Sequence, residues 1–449
     1  MLSKSKYTRG IKCPKSLWLY YNKKEEQVYS ANSTMILSRG TDVGLLAQSY
    51  FPEGKLAVLE GEYPSYQTAK RTQEFIEQGV ETIYEATFVY DDTLVAVDIL
   101  HKENGSWHIY EVKSTNSTKP EHIIDVAVQY YVAKGSGLVL TDVSVMHFNN
   151  EYVRRGAIDV QGLFKADSVL EKALAYQPKI SANLATFKQL VRESEEPKIE
   201  MGTQCDNPYE CDFKCYCQTL CPKLEQTEEV LSSVPEIKEN EVQNYVRAIK
   251  YPICHLDFET IMPGVPLFNE SRPYQQITFQ YSIHYQESKG GEIIHREYLA
   301  PSDINIDPRI GLIEQMIADT KDAKTIFMYT PFERTQINGL KRDFPQYAKD
   351  LDSILERLVD LIIPFRKKYY RTESMKNSAS IKKVLPALCP DLSYAVLTIN
   401  NGMDASNSFH DLYYCADQTY ISETREHLLK YCHLDTLAMV KLWEKLEEI

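Results

Sequence analysis

Two acids separated by one residue, Asp257 and Glu259, close the apolar run Ile253-Cys-His-Leu-Asp257-Phe-Glu259-Thr. On a strand, residues i and i+2 point to the same face, so both carboxylates can converge on one cation, which also relieves their repulsion. A second apolar run, Ile326-Phe-Met-Tyr-Thr-Pro-Phe-Glu333, ends in an acid that opens a helix. Further on, Tyr431 and Asp435 stand four residues apart, which places a phenol and a carboxylate on one helical face. Asp360 is a rival or supporting acid for Glu333, and His433 is a rival for Tyr431 at poorer spacing. Oxygen donors in such a set suit Mg2+ or Mn2+.

The N-terminal half carries a different constellation. Asp98 ends the run Leu94-Val-Ala-Val-Asp98, and Glu111 and Lys113 follow in Trp107-His-Ile-Tyr-Glu111-Val-Lys113. Across a hairpin, Asp98 and Glu111 can share a metal ion. The i+2 spacing puts the Lys113 ammonium on the same face, where it can position water or stabilise a pentacovalent phosphate. These are the parts a metal-dependent phosphodiesterase needs.

Of ten cysteines, five lie between Cys205 and Cys221, in Cys205-Asp-Asn-Pro-Tyr-Glu-Cys211-Asp-Phe-Lys-Cys215-Tyr-Cys217 and beyond, while Cys13 stands far upstream. Clustering of this kind in a reducing compartment points to a metal or an iron-sulfur cluster rather than to disulfides. The paired Cys-x-x-Cys pattern of zinc ribbons does not occur.

The elements that must hold these residues are legible. Strand-like runs cover 81–90, 93–100 and 107–113, with the turn signal Glu103-Asn-Gly105 joining the last two. A helix is expected from about Pro120 to Lys134 and a strand over Val143–Phe148. The glycine-free, Glu-rich stretch 223–250 reads as a linker with a helical portion, dividing the chain into domains 1–222 and 251–449. The second opens with a strand at Pro252–Phe258 and ends in a helix over about Ser422–Glu448.

At 449 residues the chain exceeds a single core, and 43% hydrophobic with 25% charged residues is ordinary for a globular protein. No apolar run is long enough for a membrane span and the basic N-terminus leads into no apolar stretch, so a cytoplasmic protein with no membrane partner is expected. A net charge of -13 speaks against a general nucleic-acid coating protein but is compatible with an enzyme that holds cations. Arg366-Lys-Lys-Tyr-Tyr-Arg371 and Trp18-Leu-Tyr-Tyr-Asn-Lys-Lys24 could track a strand by charge and stacking.

The ordered set Asp257, Glu259, Glu333, Tyr431 and Asp435 resembles the DnaQ-like exonucleases of the RNase H fold, in the DEDD group whose last motif uses Tyr. The resemblance implies two divalent ions held by Asp257, Glu259, Glu333 and Asp435, with Tyr431 orienting or helping to deprotonate the attacking water. Glu333, preceded by Thr330, departs from the family's usual Asn-x-x-x-Asp.

The string with Asp98, Glu111 and Lys113 resembles the PD-(D/E)XK superfamily in its RecB and CRISPR-associated branch. That likeness implies a role for Gln129, with Tyr130 or Tyr131 beside it. Its early metal-binding His has no counterpart in Arg39-Gly-Thr-Asp-Val-Gly44. The same branch implies a 4Fe-4S cluster on Cys13, Cys205, Cys211 and Cys217, with Cys215 and Cys221 as alternates.

The order of parts resembles bacterial two-domain proteins of unknown function that pair these α/β folds. They imply a nuclease acting on DNA or RNA, single strands favoured, with 3'-5' exonuclease chemistry in the second half and a role in repair, processing or defence. The alternatives are a nucleic-acid-binding scaffold with degenerate sites, and a redox sensor built on the thiolates.

Overall fold

In the computed structural model Asn104 and Gly105 both take positive φ, 50° and 84°, as a two-residue hairpin turn in a right-twisted sheet requires. Asp91 and Asp92 do the same at 47° and 48°. Two tight turns therefore fold residues 82–112 into a meander of β3 (Thr82–Tyr90), β4 (Thr93–Glu103) and β5 (Ser106–Val112). The structure describes residues 1–29, 42–220 and 235–449, which divide into two units, Met1–Glu225 and Gln226–Ile449. Both are mixed α/β.

In the first unit the helix Pro120–Gly135 carries the chain from β5 to β6 (Leu140–Phe148), which pairs parallel to β5. A parallel neighbour needs such a crossover. The sheet is completed by β7 (Phe164–Ser168), β2 (Lys55–Leu56) beside β3, and β1 (Leu2–Ser3) parallel to the start of β4. Its core joins Val95, Val97, Ile109 and Val145 to Val126, Val128 and Val132 of the crossover helix and to Ile180, Leu184 and Phe187 of the helix Leu170–Leu190.

The second unit is built on a five-stranded sheet in the order β11-β10-β9-β12-β13. Its strands are β9 (Ile253–Ile261), β10 (Ile277–Gln286), β11 (Ile293–Leu299), β12 (Thr325–Met328) and β13 (Leu358–Asp360). The first three form an antiparallel meander; β12 is parallel to β9 and β13 is parallel to β12.

The period of two sorts β9. Cys254, Leu256 and Phe258 face the helices Pro308–Asp319, Phe332–Asp343 and Ala348–Arg357 through Leu312, Met316, Ile337 and Ile354. Ile253 and Ile261 instead belong to the side where the C-terminal helix Gln418–Glu447 packs with Met439, Trp443, Leu428 and Tyr431. Asp257 and Glu259 share the parity of Ile253 and Ile261, so the fold aims both acids at that helix.

The stretch expected as a linker is, from 235 on, built into the second unit. β8 (Glu236–Ile237) pairs with β14 (Tyr370–Arg371), and the helix Glu239–Arg247 buries Val242 in the cluster around Trp443. Its charged face concealed a single apolar edge. Residues 221–234, with Cys221, and the Arg39-Gly40-Thr41 part of the early glycine stretch lie outside the described residues. Among the described residues no helix is long and apolar enough to cross a membrane.

Candidate functional site

In the second unit the expected acids converge from three elements. Asp257 and Glu259 come from β9, Glu333 from the first turn of the helix Phe332–Asp343, and Asp435 from the C-terminal helix. Glu259, Glu333 and Asp435 are buried, and Asp257 is half-buried.

Burial raises the carboxyl of Asp257 well above its usual range, and Asp435, Glu333 and Glu259 add their repulsion. Glu259 is raised well above its range by burial and then by Asp435 and Glu333. Glu333 is pushed up to about 8 by burial, against hydrogen bonds from its own backbone and from Asp257. Asp435 stands at about 6, where burial outweighs the hydrogen bond from Tyr394 and the charge of Lys382. One carboxylate oxygen, Oε2 of Glu333, is buried with no hydrogen-bond partner.

Four acids share each other's field in a place that leaves an acceptor orphaned. Without a cation they must retain protons. Oxygens of Asp257 and Glu259 and the Cys432 sulfur can lie within 4.8 Å of one another, and Sγ of Cys432 is 3.9 Å from Oδ2 of Asp257.

Tyr431 is buried against this set, and burial with the charges of Asp435, Glu259 and Asp257 pushes its phenol upward. It therefore stays protonated and acts as a donor. Asp360, on β13, adds to the field at Glu333 and lies 3.9 Å from Nη2 of Arg366.

Sequence reasoning missed Tyr394, whose hydroxyl donates to Oδ1 of Asp435 at 2.6 Å. Lys382 acts electrostatically on Glu259 and Asp435 and lies 5.7 Å from the Tyr394 ring centre. Lys383, its neighbour, is exposed. A Cβ added to Gly402, at the start of the helix Gly402–Leu412, would lie 3.7 Å from Oε2 of Glu259.

In the first unit Asp98, Glu111, Lys113 and Gln129 also meet. Oε1 of Glu111 is 2.7 Å from Nζ of Lys113, and its Oε2 accepts from Nε2 of Gln129 at 2.5 Å. Oδ2 of Asp98 accepts from the backbone N–H of Val112 at 2.7 Å. Burial and Glu111 push Asp98 up to about 8. Glu111 goes the other way: burial is outweighed by Lys113 and Lys4, which hold it far below the ordinary range.

Lys4, missed in the sequence, reaches Oε1 of Glu111 at 2.6 Å from the helix Lys4–Lys12. Asp125, 2.5 Å from Lys113, and Glu85, at φ +53° between the register pairs Tyr84–Ile99 and Ala86–Val97, complete the surroundings. Tyr130 and Tyr131 hydrogen-bond elsewhere, with Lys134 and Asp91.

Cys13, Cys205, Cys211 and Cys217 line one small cavity, with Ser16, Lys15 and Phe213. Burial raises the thiols of Cys13 and Cys217, the latter to about 11, and each feels the other cysteines. Cys215 is exposed and does not line the cavity. The aromatic stretch near Trp18 is largely structural, because Trp18 and Leu19 pack on Phe213 beneath the cysteines.

A family model described as a domain of unknown function (DUF2779) matches residues 254–380, which include Asp257, Glu259 and Glu333 but not Tyr431 or Asp435. The chain is also similar to the uncharacterised MG366 homolog of Mycoplasma pneumoniae. The two are 23% identical over 220 residues, covering 45% of this chain and 33% of that protein. The chain thus spans about a third of that relative's length.

Proposed function

We propose that the second unit is a DEDD-type nuclease that hydrolyses phosphodiester bonds of single-stranded DNA or RNA with Mg2+ or Mn2+ bound by Asp257, Glu259, Glu333 and Asp435. The observation that carries this reading is the convergence of four acids whose carboxyls are all raised, one of them with an orphaned oxygen. The donor set fits hard divalent ions, which such oxygens bind in place of protons. The strand order, with β10 antiparallel to β9 and with β12 and β13 parallel to it, supports an RNase H-like fold.

When bound, a metal pair supplies a hydroxide at neutral pH and countercharge for the scissile phosphate. The chain's own residues do the rest. Tyr431, held as a phenol, donates a hydrogen bond that orients the water. Tyr394 fixes Asp435 through Oδ1. Lys382, on the exposed side, brings a positive charge toward the phosphate.

In the first unit the meander, crossover helix and parallel β6 support a PD-(D/E)XK core in which Asp98 and Glu111 would hold a cation and Lys113 and Gln129 would position the reacting groups. The four cysteines on one cavity fit a 4Fe-4S cluster, which would staple residues near 13 to residues 205–217.

One observation favours a scaffold reading for this first site alone. Two ammonium groups, Lys4 and Lys113, already neutralise Glu111.

The test is hydrolysis of end-labelled single- and double-stranded DNA and RNA by wild type, Asp257→Ala and Asp98→Ala. Loss of Mn2+-dependent degradation in Asp257→Ala supports the proposal. Full activity in that variant, with loss in Asp98→Ala, would make the second unit a binding module.

A further inference from the structure

A second group of ligands sits on the same side of the sheet as the acids, toward its edge. His284 of β10 and His295 of β11 are direct partners in the strand register. Their rings are 4.7 Å apart, and the ring of His433, from the C-terminal helix, is 4.8 Å from the first and 4.3 Å from the second. One nitrogen from each lies within 4.8 Å of the others. Tetrahedral zinc with Zn–N near 2.1 Å wants nitrogens about 3.4 Å apart, so the three rings need to close by roughly 1 Å.

The surroundings are those of an oriented ligand set. Nδ1 of His284 is held by Oγ1 of Thr436 at 2.8 Å, leaving Nε2 as its ligand nitrogen. Thr436 is itself tied to Oγ of Ser282 at 2.7 Å, and Ser282 is 3.0 Å from Nε2 of His295. Partners on the far side of an imidazole fix its ring and raise its value as a ligand. Thr436 is thus fully buried in a polar network.

Burial and the adjacent rings also hold His284 at about 3 and His295 at about 4, so both are neutral imidazoles with lone pairs available. A carboxylate stands close by: Oε2 of Glu297, two residues along the same strand face, is 3.8 Å from Nε2 of His295. His295, Glu297 and His433 line an open cavity, which gives a metal its route in and room for a water as fourth ligand.

We propose that His284, His295 and His433 form a separate metal site for a borderline transition cation of the Zn2+ class, fastening the C-terminal helix to β10 and β11. Three imidazoles select such a cation over Mg2+, which prefers oxygen. The site stands independently of any nuclease activity. It bears on the acids through position: Ser282 is the register partner of Asp257, and His433 is on the helix that carries Tyr431 and Asp435. Closing the three rings on one ion would fix the seating of that helix.

The experiment is calorimetric titration of the full, metal-stripped chain with Zn2+, comparing wild type, His295→Gln, His295→Cys and Asp257→Asn, each checked for folding by circular dichroism. Every cysteine present in the wild type is retained in all four, so thiol binding is a common background. Wild type should take up one equivalent more than His295→Gln, or bind that equivalent at least 100-fold more tightly. His295→Cys, which keeps a soft ligand, should recover it, and Asp257→Asn should keep it. Zn2+ should raise the Tm of wild type but not that of His295→Gln. Equal zinc stoichiometry and affinity in wild type and folded His295→Gln would overturn the proposal. So would loss of the extra equivalent in Asp257→Asn alone, or failure of a folded His295→Cys to recover it.

Discussion

Tyr394 donates its hydroxyl hydrogen to Oδ1 of Asp435 at 2.6 Å, across 41 positions of sequence. That bond is the largest influence holding Asp435 down against burial, so its removal should send the carboxyl above its present value near 6. Tyr394→Phe should therefore weaken Mn2+ binding at pH 7 by about 10- to 100-fold, the range found for residues that orient metal ligands. Manganese titration followed by electron paramagnetic resonance measures it; unchanged affinity would remove Tyr394 from the site.

The raised acids also set a pH dependence. Asp435 near 6 and Glu333 near 8 lie above the values of about 4 that carboxyls have in an unfolded chain, so the folded metal-free protein binds more protons than the unfolded one between those values. Its stability should fall as pH rises from about 4.5 to 8. Cations replace those protons, so the gain in Tm on adding Mn2+ should be larger at pH 8 than at pH 6. Melting curves at the two pH values, with and without metal, decide the sign.

Lys4 offers a test of the first unit. Glu111 is 1% exposed, and Lys4→Ala leaves its carboxylate with Lys113 as its remaining ammonium partner at 2.7 Å. The loss should destabilise the unit by about 1–3 kcal/mol, the range for a buried polar group deprived of a partner. If Asp98 and Glu111 hold a cation, Mn2+ should restore more of the Tm in Lys4→Ala than it adds to wild type. Equal shifts would favour a site that is structural.

The cysteines separate cleanly. Cys13→Ser should abolish absorbance near 400 nm in anaerobically purified protein, whereas Cys215→Ser should leave it, because Cys215 is exposed and off the cavity. Retained absorbance in Cys13→Ser would break the assigned set of four.

Much of this was legible because it is periodic or local. The i+2 spacing of Asp257 and Glu259, the Asn104-Gly105 turn and the crossover helix at Pro120–Gly135 follow from a few neighbouring residues, and the elements formed within a few positions of their expected ends. The partners that tune the acids were not legible. Tyr394 sits one residue beyond a serine N-cap in a short 3-10 turn, and Lys4 lies 107 positions from Glu111. Neither has a period that points to its target. The histidine cluster is similar, since the register of β10 with β11 alone makes His284 and His295 neighbours. The stretch expected as a linker with a helical portion is similar: from 235 on it packs because Val242, Tyr245, Val246 and Ile249 gather on the cluster around Trp443, a target that its charged sequence does not point to.

The most direct measurement is the single-turnover rate at which wild type and Asp257→Asn shorten a 5'-labelled single strand in Mn2+, with folding checked in parallel. Asp257→Asn keeps the shape of the side chain and removes a metal-binding charge, so the rate should fall by on the order of 1000-fold or more, equivalent to about 4 kcal/mol of transition-state stabilisation. A folded Asp257→Asn that degrades the strand at the wild-type rate would contradict a nuclease centre at these carboxylates.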